Sequence, residues 1–227
     1  MHTLLLSTCC GVAALLAGGV ASANEELNKM SQDPRDWVMQ TGNYANHRYS
    51  RLKQITTDNA GKLQVAWTFS TGVLRGHEGG PLVIGDIMFL HGPFPNPVFA
   101  LDLNNDGKII WKYEPKQDPN VVSVMCCDTV NRGLAYGDGK IFLHQADTTL
   151  VALDAKSGKV MWSVKNGQPP TGETGTSAPI VIKDKVMVGN SGGEFRVRGS
   201  MTAYDMKTGK QVWRAYATGP DSELLLQ

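Results

Sequence analysis

Three stretches of the chain, Pro81–Leu90, Gly133–Leu143 and Pro179–Val188, share one pattern: a short apolar run, a polar break, and a second apolar run. The breaks are Gly85-Asp86, Asp138-Gly139 and Lys183-Asp184. Short β-rich runs around such breaks predict β-hairpins. A third predicted strand ends each time in one phrase, Ala100-Leu101-Asp102, Ala152-Leu153-Asp154 and Ala203-Tyr204-Asp205. A turn with Gly107-Lys108, Gly158-Lys159 or Gly209-Lys210 follows, and the next run carries Trp111, Trp162 or Trp213. These tryptophans are 51 residues apart both times, and a fainter copy, Gly61-Lys62 with Trp67, stands 44 residues before Trp111. Four strands in a period of about fifty residues predict the blades of a β-propeller, an all-β fold, rather than a sandwich. A tryptophan fixed in every unit is assigned to packing between blades, not to stacking on a ligand.

The units do not fill the chain. Residues 1–23 are apolar with no charge before Glu25 and end in Ala21-Ser22-Ala23, which predicts a cleaved secretory signal and a periplasmic protein; an uncleaved membrane anchor is the alternative. Thr8 before Cys9 makes a poor lipoprotein site, so Cys9 and Cys10 are expected to leave with the signal. Residues 24–54 form a lead-in, with Asp33-Pro34-Arg35-Asp36-Trp37 read as a capped helix start. Residues 55–227 supply about three and a half units, whereas closed propellers take about four to eight, so the chain reads as the front of a longer protein. The 41% apolar content suits a globular core, and a formal net charge of +1 with scattered cations excludes a nucleic-acid footprint.

Candidate chemistry lies outside the repeat. Asp102, Asn104 and Asp106 imitate the start of a calcium loop, but Tyr113 occupies the position that requires a bidentate glutamate, so a solvated turn is expected. His47, His77, His91 and His144 lack metal-ligand spacing and are read as structural, and no Cys-x-x-Cys-His occurs to attach haem. With the signal removed, Cys126 and Cys127 are the only cysteines, and they are adjacent. Disulfide Cα atoms usually lie about 4.4–6.8 Å apart and trans neighbours about 3.8 Å, so joining this pair is expected to need a distorted or cis peptide. The loop closed would be too short to stabilise the fold by chain entropy, which points to local shape at a site instead. Three segments carry the chemistry: His77–Pro81, Cys126–Asp128 with Asn131–Gly133, and Gly189–Glu194. All flank the first or second strand of a unit, and inner strands line a propeller axis, so they are expected to converge on one ligand. Singly, Arg132 reads as a surface cation, Glu78 as a solvated carboxylate and Ser191-Gly192-Gly193 as a turn.

Together, the tryptophan repeat, the adjacent cysteines and Ser191-Gly192-Gly193-Glu194 resemble the pyrroloquinoline quinone (PQQ)-dependent alcohol dehydrogenases, specifically the eight-bladed methanol dehydrogenase group, from about Trp37 to Gly219. The resemblance implies that Cys126 and Cys127 form a disulfide ring stacked on one face of the quinone. It implies that Glu78 and Arg132 contact the polar rim of the cofactor, that Thr176 and Ser191 donate to its carboxylates, and that Gly192 and Gly193 allow close backbone approach. Glu194 matches a metal-ligand carboxylate. Gly193 and the phrase Gly193-Glu194-Phe195 resemble the lanthanide-type enzymes, with calcium as the alternative metal. Arg196 departs from the family, which usually has glycine two residues after this glutamate.

The implied activity is oxidation of primary alcohols, methanol above all, by hydride transfer to metal-bound PQQ, with electrons passed to a soluble cytochrome c. The catalytic aspartate has no counterpart in this chain, so no catalytic residue is assigned and the chain alone is expected to be inactive; a homodimer is expected of the full-length protein. The main rival is a non-catalytic tryptophan-repeat propeller acting as a cell-envelope scaffold, which needs neither paired cysteines nor convergent Glu, Arg and Thr. A sugar dehydrogenase with the same cofactor is a nearer alternative that fits the adjacent cysteines less well.

Overall fold

The structure, a computed structural model, describes residues 23–219. Residues 1–22 of the predicted signal and residues 220–227 lie outside the described residues.

The hairpin pattern resolves into three four-stranded antiparallel blades, each with its strands in chain order. The first blade is β1 (Leu82–Ile84), β2 (Ile87–His91), β3 (Val98–Asp102) and β4 (Lys108–Tyr113). The second is β5 (Ala135–Gly137), β6 (Lys140–His144), β7 (Thr149–Asp154) and β8 (Val160–Lys165). The third is β9 (Ile180–Ile182), β10 (Lys185–Gly189), β11 (Ser200–Asp205) and β12 (Gln211–Tyr216). The repeated phrase has a structural reason: Ala100, Ala152 and Ala203 pair directly across from Trp111, Trp162 and Trp213, and the register shifts at the next residue in all three blades. A small residue makes room for the indole. The bulge then leaves one extra outer-strand residue, Ile110, Met161 or Val212, unpaired and exposed.

Alternation of side chains places the middle blade between its neighbours. From β6 and β7, Ile141, Leu143, Val151 and Leu153 join Leu82, Phe89 and Trp111 of the first blade in one core. Phe142, Leu150 and Ala152 point the other way, joining Val181, Val186, Val188 and Tyr204 of the third blade. A blade buried on both faces loses its polar alternation, and every residue of β6 is buried.

Three of the four repeat tryptophans latch onto the next unit. The indoles of Trp67, Trp111 and Trp162 lie against Gly107, Gly158 and Gly209, where an added Cβ would come within 2.7, 2.6 and 2.6 Å of the ring. These glycines also hold φ of +73°, +69° and +72°, a region that β-carbons disfavour. Trp111 Nε1 donates to Ala155 O at 3.0 Å, and Trp162 Nε1 to Met206 O at 3.2 Å. Trp213 has no such glycine among the described residues and remains 40% exposed. The fainter copy docks too, since Phe69 meets Phe99 edge-on with ring centroids 5.0 Å apart, but residues 63–70 enter no sheet among the described residues.

The lead-in departs from expectation. Its helix, α1 (Glu25–Met30), is six residues long, capped by the Asn24 side chain accepting from Leu27 N, and anchored by buried Leu27. Asp33-Pro34 instead starts a turn in which the Asp33 carboxylate accepts from Arg35 N and pairs with its guanidinium at 2.7 Å. A helix cannot propagate there because Trp37 is drawn into an antiparallel bridge with Val83 of β1. Beyond it the lead-in crosses the first strands of all three blades. Gln40 reaches Leu134 O just before β5, and Tyr44 Oη donates to Val181 O of β9 at 2.5 Å. Burial pushes the Tyr44 pKa up to about 12, so its hydroxyl keeps the proton this bond requires.

Candidate functional site

The segments singled out in the sequence sit at one end of the inner strands: Glu78 before β1, Arg132 before β5, Thr176 before β9, and Ser191–Glu194 after β10. The hairpin turns and α1 lie at the other end, where Glu26 accepts from Asp138 N and Asn24 donates to Lys183 O. Separating anchoring from chemistry in this way leaves the loop end free to shape a site.

Four of the predicted residues are joined in a chain of contacts. An Arg132 guanidinium nitrogen lies 3.2 Å from a Glu78 carboxylate oxygen, with both side chains 45% exposed. The Arg132 backbone N–H donates to Thr176 O at 3.0 Å. Thr176 and Ser191 share a hydroxyl–hydroxyl bond of 3.1 Å, and the Ser191 N–H donates to Thr174 O at 2.9 Å. Successive blades therefore present, side by side, a carboxylate, a guanidinium and two hydroxyls. The guanidinium retains donors for a planar oxygen-rich ligand, and the hydroxyls can donate to carboxylates.

Cys126 and Cys127 are joined as a disulfide, after a 3-10 turn over Pro119–Val124. Of the expected distorted or cis peptide, the cis form is not adopted. Their Cα atoms are 3.8 Å apart, the trans spacing, and their peptide is not cis. The backbone is left-handed at the second cysteine and the residue after it, with Cys127 at φ +64° and Asp128 at +67°. Two consecutive non-glycine residues in this sparsely populated region are a local cost that surrounding structure must hold, as functional loops do. The loop is tied to the first blade, because Asp128 lies 3.6 Å from Arg75, three residues before Glu78.

Beyond β10, Gly192 has φ +124°, and a Cβ there would overlap Gly172 O, so close backbone packing requires glycine. A Cβ at Gly193 would meet nothing within 4 Å. Glu194 lies exposed in the 3-10 turn Gly193–Phe195, with no hydrogen-bond or ion-pair partner among the described residues. The departure at Arg196 also has a physical meaning: it ends that turn at φ +68°, a conformation glycine adopts without penalty. Among the described residues no group of three or more His, Cys, Asp or Glu is arranged to hold a metal ion. Glu194 is thus a single free carboxylate, and a full coordination shell needs donors from elsewhere.

Sequence reasoning missed the supports behind these residues. Gln40 bonds to both Gly80 N and Leu134 O, and His91 bonds to Asn131 O. One signal was available: His91 and His144 close the second strand of two successive units after the same Phe-Leu pair.

Residues 37–224 match a family model described as PQQ, the β-propeller domain of glucose/ethanol/alcohol dehydrogenases. A lanthanide-dependent methanol dehydrogenase of Methylorubrum extorquens is 64% identical over 214 residues, covering 94% of this chain and 36% of the relative. A methanol dehydrogenase [cytochrome c] subunit 1 of Paracoccus denitrificans is 52% identical, covering 94% of this chain and 35% of the relative. Among solved structures, a europium-containing methanol dehydrogenase superposes with a TM-score of 0.85 at 56% identity, over 90% of this chain and 36% of that one. The chain spans about a third of the length of the relatives it matches.

Proposed function

Since the chain belongs to the PQQ β-propeller family of glucose, ethanol and alcohol dehydrogenases, we propose that its loop end is part of a quinone site in a periplasmic enzyme that oxidises methanol or another primary alcohol. The single observation that carries this reading is the contact chain Glu78–Arg132–Thr176–Ser191, built across three blades, with the Cys126–Cys127 disulfide in the loop that leads to Arg132.

The residues fit such a group. Arg132 would hold quinone or carboxylate oxygens through forked hydrogen bonds, and Glu78 would contact the polar rim of the cofactor next to it. Thr176 and Ser191, which now satisfy each other, would donate to cofactor carboxylates. The disulfide would supply a rigid, polarizable, water-excluding plate, and Gly192 and Gly193 would let backbone approach closely. When bound, PQQ supplies a two-electron acceptor for hydride from the alcohol.

For the metal the chain offers one ligand, Glu194, whose exposed oxygens suit a hard cation. A lanthanide is favoured by Gly193, which carries no methyl to crowd further oxygen donors, and by the naming of the M. extorquens relative; calcium is the alternative. Export through residues 1–23, a soluble cytochrome c as electron acceptor and a homodimer of the full-length protein complete the reading.

Activity tests it. Full-length protein loaded with PQQ and either a lanthanide or Ca²⁺ is expected to oxidise methanol in a dye-linked assay, faster with the lanthanide. The isolated 227-residue chain, with one metal-ligand carboxylate and no assigned catalytic base, is expected to be inactive. Failure of the full-length protein with both metals, or turnover by the short chain, would overturn the proposal.

A further inference from the structure

The weakness of the Glu78–Arg132 pair raises the question of what holds it. Both side chains are 45% exposed, and an exposed ion pair, screened by solvent, contributes too little to fix two long side chains. Their backbones must be placed by other groups. We propose that Gln40 is the positioning residue that sets this pair, with His91 as a second support; the inference rests on the quinone-site reading above.

The Gln40 amide is used at both ends. Its Oε1 accepts from Gly80 N at 3.1 Å and its Nε2 donates to Leu134 O at 3.2 Å. Only one orientation of the amide satisfies a donor at Gly80 and an acceptor at Leu134, so the assignment is fixed by its partners. Gly80 follows Glu78 by two residues and Leu134 follows Arg132 by two. One side chain therefore clamps the two lead-ins at matched distances from the ion pair. The backbone makes room for it, since Gly133 has φ +150° and a Cβ there would overlap the Gln40 amide.

His91 acts on the same two segments. Its ring is buried, and Nε2 lies 3.0 Å from Asn131 O, an acceptor, so the proton sits on Nε2. A Cβ at Gly79 would overlap this ring and lie 3.1 Å from the Arg132 carbonyl carbon, which puts Glu78's neighbour, His91 and Arg132's backbone in one contact. Asn131 completes the hold, donating to His144 O at 2.8 Å and accepting from Gly133 N at 3.1 Å. Arg132 is thus flanked on one side by the His91 support and on the other by the Gln40 clamp, while its own N–H is held by Thr176 O.

Supporting residues of this kind alter ligand affinity by about 10–100-fold where they have been removed around metal ligands. Gln40→Met keeps the length of the side chain and removes both hydrogen bonds. In full-length apo protein titrated with PQQ and followed by the absorbance of bound quinone, Gln40→Met is expected to weaken binding about 10-fold. Arg132→Ala should weaken it further, and adding Gln40→Met to a Glu78→Ala/Arg132→Ala protein should weaken it no more, because Gln40 acts through that pair. A merely structural defect would add to the effect of removing the pair. If Gln40→Met does not fold, Gln40→Glu serves in its place, keeping the shape and the Gly80 bond while losing the donor to Leu134. Wild-type affinity in the Gln40 variant, or fully additive losses, would overturn the positioning role alone. Wild-type affinity in Arg132→Ala would instead overturn the quinone-site reading beneath it.

Discussion

Replacing Trp111 with alanine is expected to destabilise the chain by about 3–5 kcal/mol, the range for emptying a buried tryptophan site. The ring is 8% exposed, tilts against Phe89 at a centroid distance of 5.9 Å, and covers Gly158 of the next blade. Its loss also strands Ala155 O, which now accepts from Nε1. The collapse that softens such a cavity is blocked here, because Gly158 has no side chain to move into the space. Trp213→Ala is the internal control. At 40% exposure and without a receiving glycine among the described residues, that ring has less to lose, and a cost below about half of the Trp111 value is expected. Urea unfolding of both variants checks the difference. Equal losses would mean that the inter-blade latch contributes little.

Acidification is expected to weaken the fold through His144. This ring is fully buried at the end of β6, and burial pushes its pKa down to about 4, against the opposing influence of Thr148's backbone and the Asp147 carboxylate. Lys165 adds to the depression. Above the ordinary value of 6.5 the ring is neutral in both folded and unfolded chains, and its full contribution is present. As pH falls from 6.5 to about 4 only the unfolded chain takes up the proton, so stability is lost, by about 3 kcal/mol once the folded pKa is passed. His91, also depressed chiefly by burial, acts in the same direction. The check is the slope of unfolding free energy against pH in that window for wild type and His144→Gln. The comparison is of slopes, so it does not depend on the variant's starting stability, and the variant should show a shallower slope. An unchanged slope would mean that His144 is not held neutral in the fold.

Much of this fold was readable because it repeats. The hairpin breaks, the Ala-Leu-Asp phrases and the spaced tryptophans recur, and each has a cause that acts locally, namely a turn, a small residue opposite an indole, or a glycine beneath it. Residues acting once and at a distance were not readable. Nothing near Gln40 announces that its amide spans Gly80 and Leu134, which lie 40 and 94 residues away. Asp33-Pro34 offers the local chemistry of a helix start, but the bridge between Trp37 and Val83 wins, since pairing with β1 satisfies the backbone that a helix would otherwise use. Residues 63–70 carry the tryptophan strand's pattern without becoming a strand, because a strand needs a neighbour. At the site, the residues were found as types, whereas their order of contact was not. The adjacent cysteines signalled unusual geometry, but the left-handed backbone at Cys127 and Asp128 is a property of the loop.

The proposed quinone site is built by these loops around Arg132 and the adjacent cysteines. Its most direct test is equilibrium titration of PQQ into full-length apo protein, compared with Arg132→Ala and with the double variant Cys126→Ser/Cys127→Ser, alongside unfolding curves for all three. Because the Glu78–Arg132 pair is half exposed and the disulfide closes no long loop, both variants should unfold within about 1 kcal/mol of wild type. Saturable binding of one quinone per chain is expected, weakened at least about 10-fold in each variant. Absence of binding, or equal affinity in all three proteins, would contradict it.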